Sequence, residues 1–275
     1  MSRLFAMLRP LLGDLLAEFV VFGVKEAASC VFAGTFLLLV AISTWLHVPG
    51  LARYDLLLIG GIAIQLGLVA LRLESWREVA VLSLFHGLGI GLELFKTQPG
   101  IAAWSYPEPA LFRLSTVPLY SGFMYSAVAS YLIQAWRLLA IRVENFPPPG
   151  QALGLCLAIY ANFFTHHYVP DLRWGLGLAV LGLFWRCKVR FTVVAIERRM
   201  PLPLSFALIG FFIWVAENIA TYFGAWTYPH QAEHWGLVGI GKISSWTLLI
   251  IISFILVAVL KRQGFGWRGA EGAVA

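Results

Sequence analysis

Two glutamates in apolar surroundings are the residues of this chain best suited to chemistry. Glu93 and Glu217 each lie in an apolar run, and each precedes a Trp-x-Tyr-Pro motif, at residues 104–107 and 226–229. An ionisable group inside a membrane is costly, so such groups usually face a partner or a wet cavity. Two carboxylates in one poorly hydrated pocket resist ionising together, so we expect a proton donor beside a base.

The two glutamates belong to a longer repetition. Each is followed by a threonine four residues later and a glycine seven residues later. Upstream, residues 47–54 resemble residues 167–174, and each of these segments opens with a histidine. A chain built from two copies tends to place its distinctive polar residues between the copies. We therefore expect a functional site at that seam.

Two lysines complete the predicted catalytic set of Glu93, Glu217, Lys96 and Lys242. Lys96 follows Glu93 by three residues, so both lie near one helix face. Lys242 follows the second motif at the spacing with which Tyr120 follows the first. We expect both lysines to act as counter-ions of the carboxylates.

Aromatic and polar side chains surround these ionisable groups and are predicted to bind substrate. Aromatic rings can stabilise a cationic substrate or intermediate. The alternative is structural, because Trp and Tyr also anchor proteins at membrane interfaces and Glu–Lys pairs can join helices without chemistry. The predicted binding residues are His86, Trp104, Tyr106, Tyr120, Asn218, Thr221, Trp226 and Tyr228.

The histidines favour no metal site. No His-x-x-x-His pair falls on one predicted helix face, and the adjacent His166 and His167 would point about 100° apart on a helix. The sequence therefore predicts no metal and no cofactor. Gly87, Gly89 and Gly91 predict close helix packing and not a phosphate loop.

Composition indicates a membrane protein. Of 275 residues, 60% are hydrophobic and 12% charged, with mean hydropathy +0.80, whereas soluble domains are about 25% charged. We predict an all-α, polytopic transmembrane helix bundle. Its eight spans of about 20 residues are 27–47, 55–73, 78–97, 116–137, 151–168, 172–190, 203–223 and 236–260. The net charge of +6 lies in short loops as a topology signal, so no nucleic-acid partner is expected.

The prolines at 147–149 divide the chain into two parallel four-span repeats. The predicted parts are an amphipathic interfacial segment (1–26), the first repeat (27–143), a Pro-rich linker (144–151), the second repeat (152–262) and a cytoplasmic tail (263–275). Basic residues in alternate loops place both termini in the cytoplasm of a multi-pass inner (plasma) membrane protein.

Three segments carry a family resemblance: His86 to Glu93, the motif at 104–107, and Pro-Leu-Tyr-Ser-Gly-Phe-Met-Tyr at 118–125. They resemble the YoaT-like family of bacterial integral membrane proteins, classed as domain of unknown function number 817. The resemblance implies a polytopic membrane protein and transfers no catalytic residues. Glu217, Gly224 and residues 226–228 are more weakly similar to membrane-embedded carotenoid hydratases and cyclases.

Three functions remain open from the sequence. The first is an acid–base enzyme acting on an apolar lipid or isoprenoid by hydration, isomerisation or cyclisation. The second is a small-solute or lipid transporter, since parallel repeats with intramembrane charges also occur in carriers. The third is a non-catalytic lipid-binding or assembly protein. In each case the lipid bilayer is the expected partner.

Overall fold

A computed structural model describes residues 1–262, and this part of the chain is mainly helical. The predicted tail 263–275 lies outside the described residues. The helices are α1 (Ser2–Ser29), α2 (Val31–Ile42), α3 (Arg53–Ala70), α4 (Trp76–Lys96), α5 (Gly122–Leu138), α6 (Pro149–Thr165), α7 (Arg173–Phe184), α8 (Leu202–Tyr222) and α9 (Lys242–Arg262).

Short strands interrupt the helices, which differs from the all-α prediction. Strands β1 (Arg113–Leu114) and β2 (Val117–Pro118) form an antiparallel pair. Strands β3 (Arg142–Glu144), β4 (Lys188–Thr192) and β5 (Glu197–Pro201) form an antiparallel sheet in that order. Around β4 apolar and basic residues alternate, which is typical of a strand. We had interpreted these basic residues only as topology signals.

The prediction of membrane spans is confirmed in part. Four helices are long and apolar enough to cross a membrane: α3, α4, α8, and α9 over Lys242–Leu260. A fifth is obtained if α1 and α2, which meet at an angle of 67°, count as one broken span. Helices α5 and α6 have 17 residues and α7 has 12, which is short for a span. The predicted span 116–137 contains β2 and a 3-10 turn before α5 begins, and 172–190 runs into β4.

The predicted interfacial segment 1–26 lies within α1, where Gly13 breaks the helical geometry with a φ of +76°. The far end of α1 is attached to the sheet. Arg198 forms an ion pair with Glu18 at 2.5 Å, and Lys25 Nζ donates to the Thr192 carbonyl at 3.0 Å. These contacts hold α1 against β4 and β5.

Several helix ends meet at one end of the bundle, away from the β3–β5 sheet. They include the carboxyl ends of α2, α4, α6 and α8 and the amino ends of α3 and α9, as contacts among residues at or near these ends show. An apolar core that includes Phe32, Tyr54 and Tyr120, each at most 1% exposed, lies beneath the loops joining these ends. This end of the bundle therefore positions both Trp-x-Tyr-Pro motifs.

Candidate functional site

The two Trp-x-Tyr-Pro motifs are hydrogen-bonded to each other. Ser105 N donates to the Thr227 carbonyl and Thr227 N donates to the Ser105 carbonyl, both at 2.9 Å, in an isolated antiparallel bridge. Ser105 and Thr227 occupy the same position in their respective motifs. We call residues 104–107 and 226–229 together the paired loops.

Glu93 is enclosed by three hydrogen-bond donors. Its Oε2 accepts from Trp104 Nε1 at 2.7 Å and from the Tyr106 hydroxyl at 2.8 Å, and its Oε1 accepts from the Tyr125 hydroxyl at 2.8 Å. The residue is only 2% exposed. Burial, reinforced by the nearby Glu93 charge, raises the pKa of Tyr106 well above its usual value, so this phenol remains a donor. A carboxylate with these donors is held in one orientation.

Glu217 is enclosed in the same manner but by fewer groups. Its Oε1 accepts from the Tyr228 hydroxyl at 2.5 Å and its Oε2 from Trp246 Nε1 at 2.7 Å. It is 3% exposed, and burial raises the pKa of Tyr228 well above its usual value. The tyrosine of each paired loop thus donates to the glutamate of its own half. Glu93 thus accepts from three donors, whereas Glu217 accepts from two.

Lys242 connects the two halves. Its Nζ lies 4.5 Å from the ring centre of Tyr228 and 5.2 Å from that of Trp104, so the ammonium faces both paired loops. It interacts electrostatically with both Glu217 and Glu93. Within the described residues, however, no carboxylate oxygen lies within the 4.0 Å of an ion pair with it. It compensates the two carboxylates at longer range.

Lys96 does not contact Glu93 as the sequence predicted. Its Nζ lies 2.8 Å from His167 Nε2 and 3.3 Å from His166 Nε2. The two residues of α4 share a helix face, but the carboxylate turns to the paired loops while the ammonium turns to the end of α6. The shared face was predicted from spacing, which does not determine the direction of a side chain's far end.

The other predicted binding residues lie around the carboxylates and do not touch them. His86 packs edge-on against Phe123, with ring centres 4.9 Å apart, and the Tyr120 hydroxyl donates to a backbone carbonyl of the second half, that of Ala225. Trp226 is buried in the core beneath the loops.

Asn218 and Thr221 hold the loop that follows the second motif. Asn218 Oδ1 accepts from Val238 N at 2.9 Å, and Thr221 Oγ1 accepts from Trp235 Nε1 at 3.3 Å. Asn218 and Thr221 therefore hold this loop in place next to Glu217.

Sequence reasoning missed two donors, Tyr125 and Trp246. Tyr125 follows Tyr106 by 19 residues, and Trp246 follows Tyr228 by 18 residues. An aromatic residue at nearly the same spacing after each motif was therefore a usable signal.

Gly89 leaves the space that Tyr125 fills beside Glu93. A Cβ at Gly89 would lie 2.3 Å from Tyr125 Cδ2, whereas a Cβ at Gly87, two residues earlier on α4, would meet nothing within 4 Å. We expect Gly89→Ala to displace Tyr125 and lower the free energy of unfolding by about 1–3 kcal/mol. Gly87→Ala should leave it unchanged or raise it by up to about 1 kcal/mol.

Unfolding by sodium dodecyl sulfate in mixed micelles measures both variants. Equal stabilities for the two would show that Tyr125 does not depend on the space at Gly89.

A cavity of about 850 Å³ lies beside the site, and neither carboxylate lines it. Arg53 lies in its wall, pairs with Glu108 and donates to the carbonyls of Phe223 and Gly224. Gly224 has a φ of +68°, which favours glycine at this turn. Arg53 therefore fixes the end of α8 just before the second paired loop.

A narrower apolar crevice reaches the Glu93 site from between α4, α5, α6 and α9. It holds only about 20 Å³ of empty space. Tyr125 forms part of its wall, so the crevice touches a donor of Glu93 directly. Other wall residues include Phe85, Leu92, Val128, Tyr160, Leu249 and Ile252.

The apolar helices and the buried polar seam define a helical membrane protein. The chain matches, over residues 18–254, the family described as "Protein of unknown function (DUF817)", and it belongs to that family. It is 50% identical over 245 residues to "Uncharacterized protein YoaT" of Bacillus subtilis (strain 168), which covers 89% of this chain and 92% of that one. No solved structure matches it. The resemblance drawn from residues 86–125 is confirmed.

Proposed function

We propose that this protein is a membrane-embedded acid–base enzyme acting on the unsaturated, apolar part of a lipid such as an isoprenoid. The observation that carries the proposal is the pair of buried glutamates, each oriented by phenol and indole donors, with one ammonium between their halves. Acid–base catalysis requires a proton donor and an acceptor at fixed positions. The unequal surroundings of the two carboxylates provide the two roles.

Glu217 is assigned as the acid and Glu93 as the base. Hydrogen bonds to a carboxylate favour its charged form, and Glu93 accepts three whereas Glu217 accepts two. Protonated Glu217 would transfer its proton to one carbon of a C=C bond, leaving a carboxylate and a carbocation.

The carbocation can react in two ways, and each returns one proton to Glu93. In hydration, water bonds to the cationic carbon and its excess proton goes to Glu93. In isomerisation or cyclisation, the carbocation rearranges and loses a proton from a neighbouring carbon to Glu93. Transfer of that proton back to Glu217 restores the starting state.

The apolar crevice is the proposed entrance for the lipid chain. It opens between helices and ends at Tyr125, whose hydroxyl contacts Glu93. Its present volume holds about one water molecule, so α4, α6 and α9 must separate to admit a chain. Entry from the bilayer suits a substrate that is itself dissolved there.

The non-catalytic alternative has one observation in its favour. Each carboxylate oxygen of Glu93 and Glu217 accepts from at least one donor. These hydrogen bonds would also join the paired loops to α4 and α8. A purely structural role predicts that loss of either carboxylate changes stability without changing any lipid.

We further propose an arrangement in the membrane. The eight predicted segments would all be embedded in the membrane. Helices α1 and α2 would form a bent segment that enters it, and α5–α7 would form short spans. The bridge between Ser105 and Thr227 supports two parallel repeats around a common axis. Basic residues near β3–β5 support a cytoplasmic location for that end, with both termini on the same side of the inner (plasma) membrane.

Mass spectrometry of membrane lipid extracts tests the enzymatic proposal. Cells producing the native protein should contain a lipid that has gained water or changed isomer, and cells producing Glu217→Gln should lack it. Glu233→Gln, at an exposed position of the loop after the second motif, is the matched control and should behave like the native protein. Identical extracts from equally abundant, folded proteins would refute the proposal.

A further inference from the structure

A second polar cluster lies one helical turn beyond the crevice wall on α4 and takes no part in the proposed acid–base chemistry. Lys96 is 5% exposed, and within the described residues no carboxylate oxygen lies within 4.0 Å of its ammonium. Its neighbours are instead the imidazoles of His166 and His167, whose ring centres are 4.1 Å apart. A buried cation without a carboxylate partner calls for another anion.

The hydrogen bonds define how the imidazoles face Lys96. His166 Nδ1 lies 2.8 Å from the Asn162 carbonyl oxygen, which can only accept, so Nδ1 carries the hydrogen. Its Nε2 is then left to accept from Lys96. His167 Nε2 lies closer to the ammonium, at 2.8 Å, and since an ammonium can only donate, this nitrogen also accepts from Lys96. Two N–H groups of Lys96 are thus used and the third has no partner in the described chain.

Further positive charge surrounds this free donor. Lys242 and Arg173 both interact electrostatically with Lys96. Arg173 is itself paired with Asp171 at 2.6 Å, and Asp171 also accepts from Asn162 at 3.1 Å. Asp171 attracts Lys96 at longer range, but its oxygens are engaged by Arg173 and Asn162 and form no ion pair with the ammonium.

The cluster lies next to the crevice and reaches the surface. Leu92 in the crevice wall lies one helical turn before Lys96 on α4, and Tyr160 in the opposite wall lies on α6 shortly before His166. His167 is exposed, so the cluster is accessible from outside. A molecule with its chain in the crevice would have its head at Lys96.

We propose that Lys96, His166 and His167, with Lys242 beside them, bind the phosphate or diphosphate headgroup of the lipid substrate. The ammonium donates to the phosphate oxygens, and the imidazoles orient the ammonium. This inference rests on the proposed function, because it identifies the polar end of the same substrate.

Binding of two lipids with identical tails tests the headgroup assignment. Native mass spectrometry of the full-length protein in detergent would compare dioleoyl phosphatidic acid with dioleoyl phosphatidylcholine. We expect the phosphatidic acid to bind about tenfold more tightly, and Lys96→Gln to remove that preference. Lys188→Gln, at an exposed lysine in β4, is the charge-matched control and should keep it.

The other outcomes of these binding measurements also support or overturn the headgroup assignment. Equal binding of the two lipids, or an undiminished preference in Lys96→Gln, would overturn the assignment. If Lys96→Gln does not fold, the exposed His167→Gln decides, since it should weaken phosphatidic acid binding severalfold. Sodium pyrophosphate binding without any lipid preference would indicate a site for a free anion and reject the headgroup. Glu217→Gln should retain the preference, so failure of the catalytic proposal is recognised separately.

Discussion

Replacing Glu93 with alanine is expected to lower the free energy of unfolding by at least about 3 kcal/mol. The change leaves three buried donors, from Trp104, Tyr106 and Tyr125, without their acceptor, and each such group costs roughly 1–3 kcal/mol. Titration with sodium dodecyl sulfate in mixed micelles measures the loss.

Two further variants control for this experiment. Glu233→Ala removes an exposed carboxylate of the same type and should change stability by less than about 0.5 kcal/mol. Glu93→Gln keeps one acceptor oxygen and should fall between the two. If Glu93→Ala lowers the free energy of unfolding by less than about 1 kcal/mol, the three donors find other partners, which would contradict their dependence on Glu93.

Glu217→Gln is expected to reduce lipid turnover by roughly 10²- to 10⁴-fold, the usual contribution of a general acid. An amide cannot supply the proton, although its volume matches that of the carboxyl group. Tyr228→Phe removes only the hydroxyl that positions Glu217 and should reduce turnover by about tenfold. Rates follow from product accumulation after induction, corrected for protein abundance.

The order of the two effects is as informative as their size. Tyr228→Phe with a greater loss than Glu217→Gln would assign the proton transfer to the phenol. Equal activity of both variants and the native protein would remove Glu217 from the reaction.

The sequence predicted the long apolar helices. Apolar runs of about 20 residues identified α3, α4, α8 and α9, because length and composition are local properties of the chain. The repeated spacing of Glu, Trp and Tyr grouped these residues into one predicted site. The structure adds that each motif tyrosine donates to its own glutamate.

Other features depend on tertiary contacts and could not be predicted. Lys96 lies three residues from Glu93, yet it turns to His167, which is far away in sequence. The bridge between Ser105 and Thr227 likewise requires the two loops to meet. The pairing of β3 was missed because its partner β4 lies more than 40 residues later, beyond the reach of local patterns, whereas the alternation around β4 was a local strand signal.

Isotope labelling of membrane lipids tests the central claim, which is that the seam transfers protons to and from a lipid. Membranes containing the native protein or Glu217→Gln would be incubated in deuterium oxide, and separately in oxygen-18 water, before mass spectrometry of the lipids. The account predicts stable carbon-bound deuterium with the native protein and none with Glu217→Gln; hydration would add oxygen-18 as well. Unlabelled lipids with both proteins, each shown to be folded, would contradict it.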